Sequence, residues 1–209
     1  MSAEPSLLEL RAVTLKTATR TLVEALSVDI RSGERWTVLG PNGAGKSTLL
    51  AAIAGARPVE AGEISLRGRP VRTWPAHELA RARALLADRW IDPFSHTVID
   101  TVLTARYVFR DETGAEGHAR GWLQRFDCIE LADRDVRQLS RGERQRVAIA
   151  TALAQDTSLV LLDEPTAHQD PRHQALVVQQ LTSLADRALI ACLHDLNAAA
   201  RFAIIARSH

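Results

Sequence analysis

The chain has 209 residues, 46% of them hydrophobic, and a formal net charge of +1. That is enough apolar material to bury a substantial core in one or two compact domains, and the charge gives no electrostatic case for nucleic-acid binding. No apolar run reaches the roughly 18–20 residues that span a bilayer. Met1-Ser2-Ala3-Glu4-Pro5 lacks the basic-then-apolar order of a secretory signal. Cys128 and Cys192 lie far apart without metal-type spacing. They suit free thiols in a reducing cytosol, and the sequence leaves a disulfide open.

In chain order, Leu7–Leu15 and Leu22–Ile30 show partial period-2 alternation and read as antiparallel strands. Arg35–Leu39 is a short apolar run that predicts a buried strand. It leads into Gly40-Pro41-Asn42-Gly43-Ala44-Gly45-Lys46-Ser47, the spacing G-x-x-x-x-G-K-[ST]. Lys46–Ala54 then predicts a helix, with Thr48 in its first turn, Leu49, Leu50 and Ile53 on one side, and Gly55 as its stop. Strand, glycine loop and helix in this order bind a nucleoside triphosphate. The loop N–H groups turn inward around the phosphates, and the helix N-terminus adds a partial positive charge. Lys46 reaches the β- and γ-phosphates and Ser47 ligates Mg²⁺ in such a loop. Basic residues number 26. Only Lys16 and Lys46 are lysines, a composition of genomic-bias type against which Lys46 stands out as chemically needed.

Glu63–Leu66, followed by Gly68, predicts a further strand and turn. From Asp88 to Gln155 the chain reads as mostly helical, with Val98, Val102 and Ala105 on one face and Trp122, Leu123 and Phe126 on another. Asp111–Gly117, acidic and glycine-bearing, predicts a surface loop. Ser140 and Glu143 have capping-box spacing, so a helix starts at Ser140. A hydroxyl and Gly142 at that N-terminus suit phosphate contacts, although an ordinary capped helix has the same spacing. Ser158–Leu162 predicts a buried strand ending in Asp163 and Glu164, and Leu189–Leu193 another ending in His194. Strands alternating with helices make an α/β fold with a parallel sheet, which binds ligands at its strand carboxyl ends. Asp163 is then placed to hold Mg²⁺, Glu164 to orient or deprotonate a water, and His194 to bond the γ-phosphate.

These motifs in this order resemble the ATP-binding cassette ATPases over roughly residues 8–201. The resemblance implies a P-loop, RecA-like core with an N-terminal antiparallel β subdomain and an inserted helical subdomain. Residues 1–87 with 156–209 are the expected nucleotide-binding core, and 88–155 the expected helical part. It also implies ATP and Mg²⁺, and a head-to-tail homodimer in which Ser140 and Gly142 of one copy close the phosphate loop of the other. Ala167–Asp170 then lies at the dimer interface, with Asp170 near the nucleotide. The stretches Glu164–Gln174 and His194-Asp195-Leu196-Asn197 look like the cassettes of iron-chelate, haem and vitamin B12 importers. Those work beneath transmembrane permease subunits at the cytoplasmic face of the membrane and take cargo from a periplasmic binding protein. His168 and His173 are equally suited to be solvated loop residues, and a metal site there lacks a third ligand nearby.

Three departures from the family pattern stand out. Thr17 occupies the place of an adenine-stacking aromatic, at a cost of about 0.5–1.5 kcal/mol by analogy with aromatic pairs. Asp88 replaces a glutamine at a strand end; it can ligate Mg²⁺, and its charge opposes that of the γ-phosphate. The chain also stops at His209, where a strand usually follows; its loss is expected to expose a sheet edge. An ATP-hydrolysing importer subunit is the expected function. A degenerate, regulatory nucleotide-binding subunit with little ATPase activity is the alternative. Arg141, within the capped helix start, is expected to do little harm.

Overall fold

The computed structural model describes residues 6–87, 95–109, 113–193, 199–200 and 202. Two sheets carry the architecture. In the antiparallel one, β1 (Leu8–Lys16) lies between β2 (Thr21–Ile30) and β4 (Ala61–Leu66), and the short β5 (Arg69–Pro70) follows β4, giving the order β2-β1-β4-β5. Both expected N-terminal strands are present. Their alternation is only partial because the ladder is bulged. Buried Leu8 and Leu10 change phase to Val13 and Leu15 across Arg11 and Ala12, where the β1–β2 register shifts. Side chains satisfy the backbone freed there: Ser27 Oγ accepts the Ala12 N–H at 2.9 Å and Thr14 Oγ1 the Ala25 N–H at 3.1 Å.

The second sheet is parallel. Its strands β3 (Arg35–Val38), β6 (Arg83–Leu86), β7 (Leu159–Asp163) and β8 (Ala188–Cys192) run in the order β3-β8-β7-β6. β7 and β8 are buried along their whole length, as continuous apolar runs in a doubly covered sheet must be. The expectation of a buried β3 is corrected. All four of its residues are half-exposed, because among the described residues it pairs with β8 alone.

Helices connect these strands. α1 (Lys46–Ile53) follows β3 and ends at Gly55, whose N–H bonds the Ala52 carbonyl at 3.0 Å while that of Ala56 bonds Ala51 at 2.9 Å, the paired bonds of a Schellman stop. α2 (Ala76–Ala82) precedes β6. Between β6 and β7 stand α3 (Val98–Thr104), α4 (Ala115–Arg125) and α5 (Arg141–Ala154), and α6 (Pro171–Thr182) separates β7 from β8. α4 overturns part of the loop expected over Asp111–Gly117. Residues 110–112 lie outside the described residues, and the helix begins at Ala115 behind Gly114. Its Glu116 pairs with Arg120 at 2.9 Å, and Ala119, Trp122 and Leu123 are buried. Together these draw the segment into a helix. Asp156 ties these helices to β8: its carboxylate lies 3.2 Å from Arg106 Nη1, 3.1 Å from His118 Nε2 and 2.7 Å from Arg187 Nη2.

Alternate residues of β7 and β8 face opposite sides of the parallel sheet. Leu159, Leu161, Ile190 and Cys192 join the apolar cluster of the antiparallel sheet and α1; Val160, Leu162, Leu189 and Ala191 join that of α3, α4 and α5. No helix of the described residues is long and apolar enough to cross a membrane.

Candidate nucleotide-binding site

Residues Gly40–Gly45 turn from the end of β3 into α1. Pro41, Asn42 and Gly43 are exposed, and Ala44 is half-buried, its N–H bonded to the Pro41 carbonyl at 3.2 Å. Gly45 precedes α1 at φ +98°, and a Cβ there would meet Leu22 Cβ at 2.8 Å. Both the left-handed backbone and the close approach of β2 therefore require glycine. Lys46 is only 7% exposed. Its Nζ donates to the carbonyls of Gly40 at 2.8 Å and Pro41 at 3.1 Å, so its ammonium sits inside the loop curl. Ser47 is exposed and Thr48 half-buried. A cleft of ≈ 450 Å³ opens over this loop, and its lining also includes Thr17, Arg20 and Leu22 of the β1–β2 hairpin and Glu164.

Asp163 ends β7, 3% exposed, and stands opposite Cys192 in the parallel ladder. Burial first, and then the charge of Asp163, push the Cys192 thiol far above its usual range, while Lys46 acts in the opposite direction. The three groups thus share one electrostatic neighbourhood at the carboxyl end of the sheet. Glu164 follows at φ +50°. Its N–H bonds the Cys192 carbonyl at 3.2 Å, and its own carbonyl accepts the Ala167 N–H at 3.0 Å and Gln145 Nε2 at 3.1 Å. Three bonds to its main chain hold the residue in a conformation that non-glycines rarely adopt.

The capping box of α5 is reciprocal. Ser140 Oγ accepts the Glu143 N–H at 3.3 Å, and the Glu143 carboxylate accepts the Ser140 N–H at 2.8 Å. The Ser140 hydroxyl, and then its N–H, hold the Glu143 carboxyl below the usual range. Gly142 lies under the loop after β7: a Cβ there would meet the His168 carbonyl oxygen at 3.1 Å. Asp170 caps α6, accepting the His173 N–H at 3.0 Å and facing the His173 ring at 2.8 Å. These contacts, the N–H first, lower its pKa.

The structure therefore gathers Asn42, Gly43, Gly45, Lys46, Ser47, Thr48 and Glu164 into one cleft. Asp163 lies beside it, and Ser140, Gly142 and Asp170 are outside the lining. Asp88 and His194 lie outside the described residues. Thr17 lines the cleft, as its place in the sequence implies. The sequence does not single out Arg20 or Gln145. Arg20 donates from Nη2 to the Gly43 carbonyl, and only the hairpin turn brings it there. Gln145 follows the capping box by two residues, and no spacing rule points it at Glu164.

Residues 23–167 match the model of the ABC transporter family. A hemin import ATP-binding protein, HmuV, of Rhodococcus jostii (strain RHA1) is 40% identical over 190 residues, covering 88% of this chain and 65% of its own length. The chain thus spans just under two thirds of that relative. HmuV of Shewanella denitrificans (strain OS217 / ATCC BAA-1090 / DSM 15013) is 38% identical, with 94% of this chain and 81% of the relative covered. The iron(3+)-hydroxamate import ATP-binding protein FhuC of Bacillus subtilis (strain 168) is 37% identical, with 88% and 71% covered. Among solved structures, a putative metal-chelate type ABC transporter in an inward-facing conformation superposes with a TM-score of 0.79 at 27% identity, covering 95% of this chain and 77% of the other. Motif order, the cleft over the phosphate loop and these likenesses agree, and the chain belongs to the ABC transporter family.

Proposed function

We propose that the chain is the ATP-binding and ATP-hydrolysing subunit of an importer for an iron chelate, haem or a cobalamin-like cargo. The observation that carries this reading is the single cleft that joins Lys46 and Ser47 at the start of α1 to Glu164 beyond β7. The import proteins for hemin and iron(3+)-hydroxamate among its relatives support the cargo class and lend nothing to the degenerate alternative. In this reading the loop N–H groups and Lys46 take the phosphates, Lys46 exchanging the Gly40 and Pro41 carbonyls for phosphate oxygens. Glu164 accepts a proton from the attacking water as its oxygen bonds the γ-phosphorus and the bond to the β–γ bridging oxygen breaks. The exposed Ser47 hydroxyl and the buried Asp163 carboxylate are oxygen donors of the kind Mg²⁺ takes, and the sequence adds Asp88. Mg²⁺ there would neutralise charge on the phosphates. His194 is assigned to the γ-phosphate on the sequence alone.

Ser140, Gly142 and Asp170 lie outside their own cleft; a head-to-tail homodimer gives them the nucleotide of a second copy. Residues 88–155 form the helical unit in this scheme, and 1–87 with 156–209 the nucleotide-binding core. The partners are transmembrane permease subunits and, through them, a periplasmic binding protein, at the cytoplasmic face of the membrane. The test is binding of a fluorescent ATP analogue with Mg²⁺, and phosphate release in the presence of the permease. Lys46→Ala is expected to remove most of both signals, and unchanged affinity would overturn the assignment.

A further inference from the structure

In the proposed nucleotide site, on which this inference rests, a triphosphate on the phosphate loop has its γ end facing Glu164. Apart from residues 42–48 and Glu164, the described lining of the cleft is Thr17, Arg20 and Leu22 of the hairpin between β1 and β2, and that hairpin is the surface left for the nucleoside. The hairpin turn is closed by three bonds. The Thr17 N–H donates to the Arg20 carbonyl at 2.8 Å. The Thr17 hydroxyl donates to the same carbonyl and accepts the Arg20 N–H, each at 3.2 Å. Arg20 is thereby fixed at its backbone, and its guanidinium is clipped to the phosphate loop through the Gly43 carbonyl. A guanidinium has five N–H groups and a delocalised plane, and one N–H suffices for that clip. Among the described residues lining the cleft none is aromatic; Lys46 and Arg20 are its cations, and Lys46 lies within the loop.

We propose that Arg20 is the base-recognising residue of this site: its guanidinium plane, held by Gly43, is the face on which the purine lies. Arginine stacks on π faces with an attraction of about tenfold in affinity, or about 1.4 kcal/mol. Such a face is tolerant, because every base has one. ATP and GTP are therefore bound about equally well. The Arg20–Gly43 bond also couples base to phosphates, since one side chain touches both regions.

Calorimetric titrations of the whole chain and its variants with Mg²⁺ and ATP, GTP or tripolyphosphate, which has no base, test this. Arg20→Ala is expected to weaken ATP and GTP by about tenfold each and tripolyphosphate by less than about twofold. Arg20→Lys, which keeps the charge and a donor but not the plane, is expected to resemble Arg20→Ala. Arg20→Trp is expected to recover ATP binding. Equal weakening of ATP and tripolyphosphate in Arg20→Ala would mean that Arg20 only props the loop, and would overturn the proposal, as would unchanged ATP affinity. Arg20 is exposed, and matching thermal melts verify that each variant is folded. If the unaltered chain binds neither ATP nor tripolyphosphate, the nucleotide reading itself fails, an outcome distinct from the others.

Discussion

Glu164 shows how one residue is held in place for the role proposed for it. Its φ of +50° is stabilised by main-chain bonds to Cys192, Ala167 and the Gln145 side chain, so its carboxylate can be altered without touching those bonds. Glu164→Gln is therefore expected to fold normally and bind ATP as before. Its hydrolysis should fall by about 10²–10⁴, the usual contribution of a general base. Phosphate release and nucleotide titration on the same sample check this, and size-exclusion chromatography with ATP is expected to show the variant gathering in a dimer. An unchanged hydrolysis rate would remove Glu164 from the role. The roles proposed for Lys46, Ser47, Asp163 and Glu164 come from the sequence residue by residue, because each sits in a motif. The places of Arg20 and Gln145 do not: the side chain of each bonds a residue far off in the chain, which no local pattern encodes.

At the scale of elements, α5 depends on its capping box. Ser140→Ala removes an N-cap bond worth about 1 kcal/mol, expected to lower Tm by about 2–4 °C at this size. The pH dependence follows from Glu143. Its folded pKa is lowered, so the unfolded chain holds the proton more tightly. The stabilisation is fully present above the unfolded carboxyl value, about 4.3, and is lost as pH falls through the lower folded value. In thermal melts Glu143→Gln should be less stable than the unaltered chain at pH 7, the gap closing as the pH drops below about 4. A gap that widens on acidification would contradict this. Helix starts and stops are legible because caps are local chemistry, as Ser140 and Gly55 demonstrate. The start of α4 escapes local pattern because the Glu116–Arg120 pair and the burial of Trp122 outweigh nearby glycines.

For the whole molecule, β7 is the shared wall of two apolar clusters: Leu161 faces one and Leu162 the other, both fully buried. Truncating either to alanine is expected to cost about 2–5 kcal/mol in denaturant unfolding. If the clusters unfold as one unit, both variants shift the same single transition; separate transitions would show that the sheet does not join them. By itself the sequence determined the phosphate loop, the caps, the buried strands β7 and β8 and the family, because glycine spacing, N-cap spacing and apolar runs act within a few residues of themselves. Only the tertiary structure decided that β3 is half-exposed and pairs, among the described residues, with β8 alone, that the hairpin turn lines the cleft with Arg20, that Leu22 packs against Gly45, and that Gln145 bonds Glu164. Those contacts join residues distant in the chain, and their positions depend on strand order, bulge placement and sheet packing, which no run of neighbouring residues specifies.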